Sequence, residues 1–243
     1  MQYSTFAAID IGSYDVILEI FEISKKQGIR SVDKICHRME LGKDTYTLGK
    51  IRPEMEEELC RVLADFVRIM EGYRVDDYRA TASSAISEAS NSLYVLGKIH
   101  QLTGLSVTVL SNSEQRFLSY KALAAMEDNF NKIIEKGTAI LDLDGGSFQI
   151  SLFDKDALVT TQNIRMGSLR IRERLAGIQS ETEHYEEMVE ELIWNEVSSF
   201  KKMYLKDRKI ENIMLIGDVF TDSVYQNIEE KTTKIISRRS EER

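Results

Sequence analysis

Phe6-Ala7-Ala8-Ile9-Asp10-Ile11-Gly12-Ser13 and Ala139-Ile140-Leu141-Asp142-Leu143-Asp144-Gly145-Gly146-Ser147 are the stretches whose reading decides the fold. Each is an apolar run that stops at an aspartate and passes into a tight, glycine-containing turn with a hydroxyl. A second apolar run follows each turn, Val16 to Phe21 and Gln149 to Phe153, so both read as strand–turn–strand units. Two such units in one chain predict a duplicated domain with a phosphate-binding hairpin in each half. A cleft between the halves is then the default ligand site.

With 243 residues the chain can form one large domain or two small ones, each with its own core. Apolar residues at 42% and charged residues at 30% are ordinary for a water-soluble fold, and one proline leaves no room for a long disordered linker. No run approaches the roughly 18 apolar residues of a membrane helix, and the N-terminus has no signal-peptide pattern. Cys36 and Cys60 make no disulfide framework, so a cytoplasmic location is expected. Two cysteines and three scattered histidines argue against zinc. A net charge of −8, with basic residues dispersed among acids, argues against nucleic acid as a partner. The basic tail of Lys234, Arg238, Arg239 and Arg243 reads as a solvated terminus.

Between the hairpins, residues 29–36 read as a third strand. Arg52 to Tyr73 reads as a helix with Pro53 in its first turn and Gly72 closing it. Residues 78–82 and 107–110 read as strands. Residues 85–99 form a helix, and Ser113 caps another that runs to about Phe130. The second half supplies a strand over 157–164, helices over 166–176 and 180–204, a strand over 213–216 and a helical segment from Val219 to Ile236. Alternating strands and helices make the class α/β. Polar punctuation near 125–135 divides the chain into domains 1–130 and 131–243.

In order and spacing, these motifs resemble the exopolyphosphatase/guanosine pentaphosphate phosphohydrolase (Ppx/GppA) family, within the actin-like superfamily. The resemblance rests on Ala7 to Ser13, Glu40-Leu41-Gly42-Lys43, the helix from Arg52, Ala82 to Asn91, Val109 to Gln115, Asp142 to Gln149 and Met166 to Arg170. It implies two ribonuclease-H-like (actin-like ATPase) domains around a cleft, the second one shortened. It also implies Mg2+-dependent hydrolysis of a terminal phosphoanhydride in polyphosphate or a guanosine polyphosphate. In such chemistry glycine-loop amides hold phosphate, carboxylates hold metal and a glutamate activates water. Carried onto this chain, Gly12, Ser13, Gly145, Gly146 and Ser147 are the phosphate-binding candidates, and Asp10, Asp142 and Asp144 the metal candidates.

The chain departs from the family where chemistry is expected. The first loop, Asp-Ile-Gly-Ser-Asn-Ser in the family, carries Tyr14 and Asp15 in its last two places. Asp15 opposes phosphate unless its carboxylate points to solvent. Ser87 stands where the family has an arginine that grips phosphate, with Arg79 or Arg116 as candidate substitutes. Gln115 occupies the position of the base, and an amide cannot take the proton. Glu114 is the alternative base, but on a helix it points about 100° away. Asp144 replaces a glycine and either repels phosphate or joins Asp142 around a cation, while Gln149 replaces a glutamate. Near the C-terminus, Gly217-Asp218-Val219-Phe220-Thr221 replaces a Gly-Thr-Gly-Gly-Thr loop.

These changes share one direction, toward a scaffold that keeps its fold and loses its chemistry. The leading expectation is a phosphate- or nucleotide-binding or regulatory pseudoenzyme of the family. The alternatives are an active phosphohydrolase with rearranged residues, and a protein-interaction module. In the last case a homodimer or another protein covers the second domain.

Overall fold

The computed structural model describes residues 3–127, 129–177, 184–206, 208–217 and 233–237. The chain divides into two compact units, residues 1–115 and 116–243. The division falls inside a helix, between Gln115 and Arg116, rather than at the polar punctuation near 130.

The first unit begins with β1 (Ser4–Ile11), β2 (Asp15–Ser24) and β3 (Gly28–Arg38), an antiparallel meander. β4 (Asp77–Ala82) and β5 (Val107–Val109) run parallel to β1, giving the order β3-β2-β1-β4-β5. In β1 the alternate residues Thr5, Ala7, Ile9 and Ile11 are buried, which puts Asp10 on the opposite face at the strand's exposed end. A period of two is what a strand with one core face requires. α2 (Pro53–Tyr73) buries Leu59, Cys60, Val62, Leu63, Phe66 and Met70, the helical spacing expected of one apolar stripe. Gly72 lies inside this helix, and its left-handed cap is Arg74 at φ 52°.

Three other helices differ from expectation. α1 (Leu41–Leu48) follows Glu40, whose φ of 48° turns the chain sharply out of β3, and its short, polar sequence hid it. The helix expected over 85–99 is two pieces, α3 (Ser84–Ser87) and α4 (Ser92–Thr103). α5 (Asn112–Met126) ends before α6 (Phe130–Ile134).

The second unit repeats the first. β6 (Thr138–Leu143), β7 (Phe148–Asp154) and β8 (Ala157–Ile164) form the antiparallel meander. β9 (Asn212–Gly217) and β10 (Thr233–Ser237) join it in parallel, in the order β10-β9-β6-β7-β8. The helical segment expected up to Ile236 is therefore corrected: residues 233–237 are the fifth strand, drawn into register by the β9 backbone. β7 is buried on both faces from Phe148 to Phe153, as a strand covered on both sides must be. On one face Phe153 packs with Leu123, Phe130, Ile134 and Ile140, and on the other Phe148, Ile150 and Leu152 pack with Ile164 and Phe200. Two helices complete the unit, α7 (Ser168–Leu175) and α8 (Tyr185–Tyr204). Among the described residues no helix is long and apolar enough to cross a membrane. Asp218, Val219, Phe220, Thr221 and the terminal arginines, together with residue 128 of the expected boundary, lie outside the described residues.

Candidate functional site

In the first unit the β1–β2 turn closes on itself. The Gly12 N–H donates to the Asp15 carbonyl at 2.9 Å, and a Cβ on Gly12 would sit 3.0 Å from that oxygen. The donor that a phosphate loop would present is thus spent within the turn. Ser13 is 1% exposed, and its hydroxyl pairs with Tyr46 Oη at 2.7 Å, which in turn pairs with Ser84 Oγ at 2.8 Å. The hydroxyl expected to face phosphate is held inside the unit by a tyrosine from α1.

The two intruding residues have local partners. The Tyr14 ring lies under the Arg38 guanidinium, 5.3 Å from its centroid, and Asp15 stands directly opposite Arg38 in the β2–β3 ladder. A bond to Glu40, and more weakly the charges of Glu40 and Asp15, raise the Arg38 pKa. Asp10, exposed, accepts the Thr81 hydroxyl at 3.4 Å. Ser87 is exposed at the end of α3, and Arg79 is exposed on β4.

Glu114 has a structural task. Ser111 N–H and Oγ donate to its carboxylate at 2.9 and 2.7 Å, while the Glu114 N–H returns a bond to Ser111 Oγ at 3.3 Å. This is a capping box at the start of α5, so Ser111 rather than Ser113 caps the helix. These bonds, and more weakly Arg79, hold the Glu114 carboxyl below its usual value of 4.5. A weaker, already bonded base does not replace the lost one. A depressed carboxyl stabilises the fold above its unfolded value and loses that contribution as pH falls through the folded value. Helicity at the start of α5 is therefore expected to hold down to about pH 4.5 and to fall below it. Ser111→Ala should remove the pH step, as read by amide exchange of α5; a step that survives that change counts against the assignment. Gln115 is half-buried beside this cap.

In the second unit the β6–β7 turn carries its own anion. The Asp144 carboxylate accepts the Gly145 N–H at 2.6 Å, and the Asp144 N–H reaches the Ser147 carbonyl at 3.0 Å. The loop carbonyls then cap α7: Ser168 and Arg170 N–H donate to Asp144 and Gly145 at 3.2 and 3.1 Å, and Arg170 Nε to Gly146 at 2.9 Å. Gly167 is required here, because a Cβ would collide with the Asp144 and Gly145 backbone. Gly145 and Gly146 are buried, and Ser147 is half-buried.

Asp142 accepts the Ser119 hydroxyl at 3.2 Å and faces Gln149 across the ladder, and Gln149 in turn faces Asn163. A glutamate at position 149 would set two carboxylates side by side, an arrangement that needs a cation or a shared proton. The amide removes that need. Arg116 donates to Thr161 at 2.9 Å, and Tyr120 to Ser151 at 2.5 Å, so this face of the sheet is tied to α5 by hydroxyls. Burial is the main cause of the raised Tyr120 pKa.

Two sheets of identical strand order, each with a turn at the end of its first strand, define an actin-like, ribonuclease-H-like α/β protein. Residues 19–241 match the Ppx/GppA phosphatase family, and the chain belongs to that family. It is 22% identical over 238 residues to the bifunctional 3-dehydroquinate synthase/phosphatase of Fusobacterium nucleatum, covering 93% of this chain and 34% of that protein. It is 25% identical over 144 residues to exopolyphosphatase 1 of Mycobacterium leprae, covering 59% of this chain and 41% of that protein. The chain thus spans between 34% and 41% of the length of these relatives. The structure of an Aquifex aeolicus Ppx/GppA family member superposes with a TM-score of 0.66 at 23% identity, covering 89% of this chain and 67% of that one.

Exopolyphosphatases of this family generally use a divalent metal. Magnesium is typically held by one or two carboxylates with water and substrate oxygens. Here Asp142 is bonded to Ser119 and Asp144 to Gly145, and among the described residues neither unit gathers three His, Cys, Asp or Glu side chains as ligands. The one or two carboxylates that magnesium needs are present as Asp142 and Asp144, each making a local bond.

The sequence reading missed Tyr46, Arg38 and Ser119, which lie outside the recognised motifs. The pair Ser111 and Glu114 was legible as a capping box from its spacing alone.

Proposed function

We propose that this chain is a Ppx/GppA-family protein whose phosphoanhydride hydrolase site is impaired and which acts as a regulatory or phosphate-responsive module. The observation that carries this reading is the Asp144 carboxylate on the Gly145 N–H. A fixed internal anion occupies the donor that would otherwise meet a phosphoryl oxygen, and it repels any phosphate that approaches. At about 4 Å that repulsion is on the order of 1–4 kcal/mol between effective dielectrics of 80 and 20. Gln115 supports the same reading by removing the proton acceptor, and Glu114 is committed to the helix cap. Neither exposed Cys36 nor buried Cys60 forms a disulfide, which supports a reducing, cytoplasmic setting.

Calorimetry with ATP, guanosine tetraphosphate and polyphosphate tests the binding side. The unaltered chain should bind weakly. Asp144→Gly, which removes the internal anion, should tighten binding by about tenfold or more, the equivalent of about 1.4 kcal/mol. Unchanged or weaker binding in Asp144→Gly would show that the carboxylate is no obstacle.

A further inference from the structure

We infer that Tyr46 is an internal stopper for the phosphate loop of the first unit, its hydroxyl standing in for one oxygen of a tetrahedral oxyanion. This rests on the proposal that the chain still responds to phosphate, and it adds what keeps the first turn closed. Ser13 and Ser84 belong to the two motifs, Ala7 to Ser13 and Ala82 to Asn91, that the pairing of β1 with β4 brings side by side. Tyr46 Oη lies 2.7 Å from Ser13 Oγ and 2.8 Å from Ser84 Oγ, and the two serine oxygens are 3.4 Å apart. One oxygen within hydrogen-bond distance of two serine hydroxyls holds the position that an anionic oxygen would take between two donors. With the tyrosine in place both serines are engaged, and Ser13 is sealed at 1% exposure.

The rest of α1 is anchored without the Tyr46 hydroxyl. Leu41 is fully buried, and the Gly42 N–H donates to the Ser13 carbonyl at 2.9 Å. Asp44 accepts from the Arg52 N–H and Nε, both at 2.9 Å, and Thr45 Oγ1 donates to the Ala85 carbonyl at 2.6 Å. The half-buried Tyr46 ring can therefore turn aside while the helix stays in place. Its departure leaves two O–H donors on a fixed frame, which is how a preorganised anion site is built. Lys43, exposed and one turn back on the same side of α1, adds a cation there. Binding is then a competition: phosphate enters only as the ring leaves, so its apparent affinity is lowered by the fraction of chains that are closed.

Calorimetry of the full chain with inorganic phosphate is the test. Tyr46→Phe, which keeps the ring and removes the oxygen, should tighten binding by about two- to tenfold, the worth of one hydrogen bond. Tyr46→Ala, which also clears the ring, should tighten it further. Both variants should stay folded by circular dichroism, since the other anchors of α1 are untouched. Adding Ser13→Ala and Ser84→Ala to Tyr46→Phe should cancel the gain. Binding no tighter than that of the unaltered chain in both Tyr46 variants, or a gain that outlives the two serine hydroxyls, would overturn the inference. Tighter binding in Asp144→Gly but in neither Tyr46 variant would remove the stopper and leave the impaired site standing. Tighter binding in Tyr46→Phe, in a chain whose unaltered form releases phosphate from polyphosphate at enzyme-like rates, would do the reverse.

Discussion

A chain carrying Gln115→Glu, Asp144→Gly and Gln149→Glu together is expected to release orthophosphate from polyphosphate with Mg2+ at least about 10²-fold faster than the unaltered chain, since a positioned general base is worth about 10²–10⁴-fold. The three changes answer three separate deficits. Glutamate at 115 returns a proton acceptor. Glycine at 144 frees the Gly145 N–H now held at 2.6 Å by the carboxylate. Glutamate at 149, directly opposite Asp142 in the ladder, makes a carboxylate pair that a divalent cation can neutralise. Each change alone is expected to do little, because groups that act as one unit are non-additive. Adding Ser87→Arg should raise the rate further by returning a cation for the phosphoryl oxygens. The measurement is colorimetric phosphate release from a preparation free of contaminating phosphatase. If the unaltered chain already turns over at roughly 1–10³ s⁻¹, the range of ordinary enzymes, the proposal of an impaired site is wrong.

The largest stability effect outside the apolar core is expected at Asn91. Its Oδ1 accepts the Ile51 N–H at 3.0 Å, and its Nδ2 donates to the Ile51 carbonyl and to Glu56 Oε1, both at 2.8 Å. Glu56 is 4% exposed, and its remaining side-chain partner, Lys98, lies at 3.4 Å. One amide therefore binds the entry to α2 to the entry to α4 and satisfies a buried carboxylate. Asn91→Ala strands two backbone groups and weakens the hold on a buried charge. At about 1–3 kcal/mol per unsatisfied buried group, a loss of about 3 kcal/mol is expected. For a unit of this size that is a fall in melting temperature on the order of 10 °C. Asn91→Asp, which keeps the shape but opposes Glu56 with a second carboxylate, should be no better. A shift of less than a few degrees for Asn91→Ala would mean that water replaces the amide at little cost.

The parts of the fold legible in the sequence were those with a local cause. Alternation in β1, the 3.6-residue stripe of α2 and the glycine turns at the two strand ends all follow from side chains close along the chain. The repeated hairpin was visible for the same reason, and both sheets carry it in the same order. Less legible was β10, because residues 233–237 gain their strand conformation from pairing with β9, far back in the chain. α1 was hidden too, as a helix of only eight residues carries little periodic signal.

The candidate site divides along the same line. Residue identity by itself settled that Gln115 cannot act as a base and that Ser87 brings no charge, because those are properties of an amide and a hydroxyl wherever they sit. Only the tertiary structure decided what Ser13, Asp15 and Asp144 do. Ser13 turns to Tyr46, Asp15 stands opposite Arg38, and the Asp144 carboxylate takes the Gly145 amide. A side chain's chemistry travels with the residue, but its partner is set by the backbone that brings a distant strand or helix within hydrogen-bonding distance.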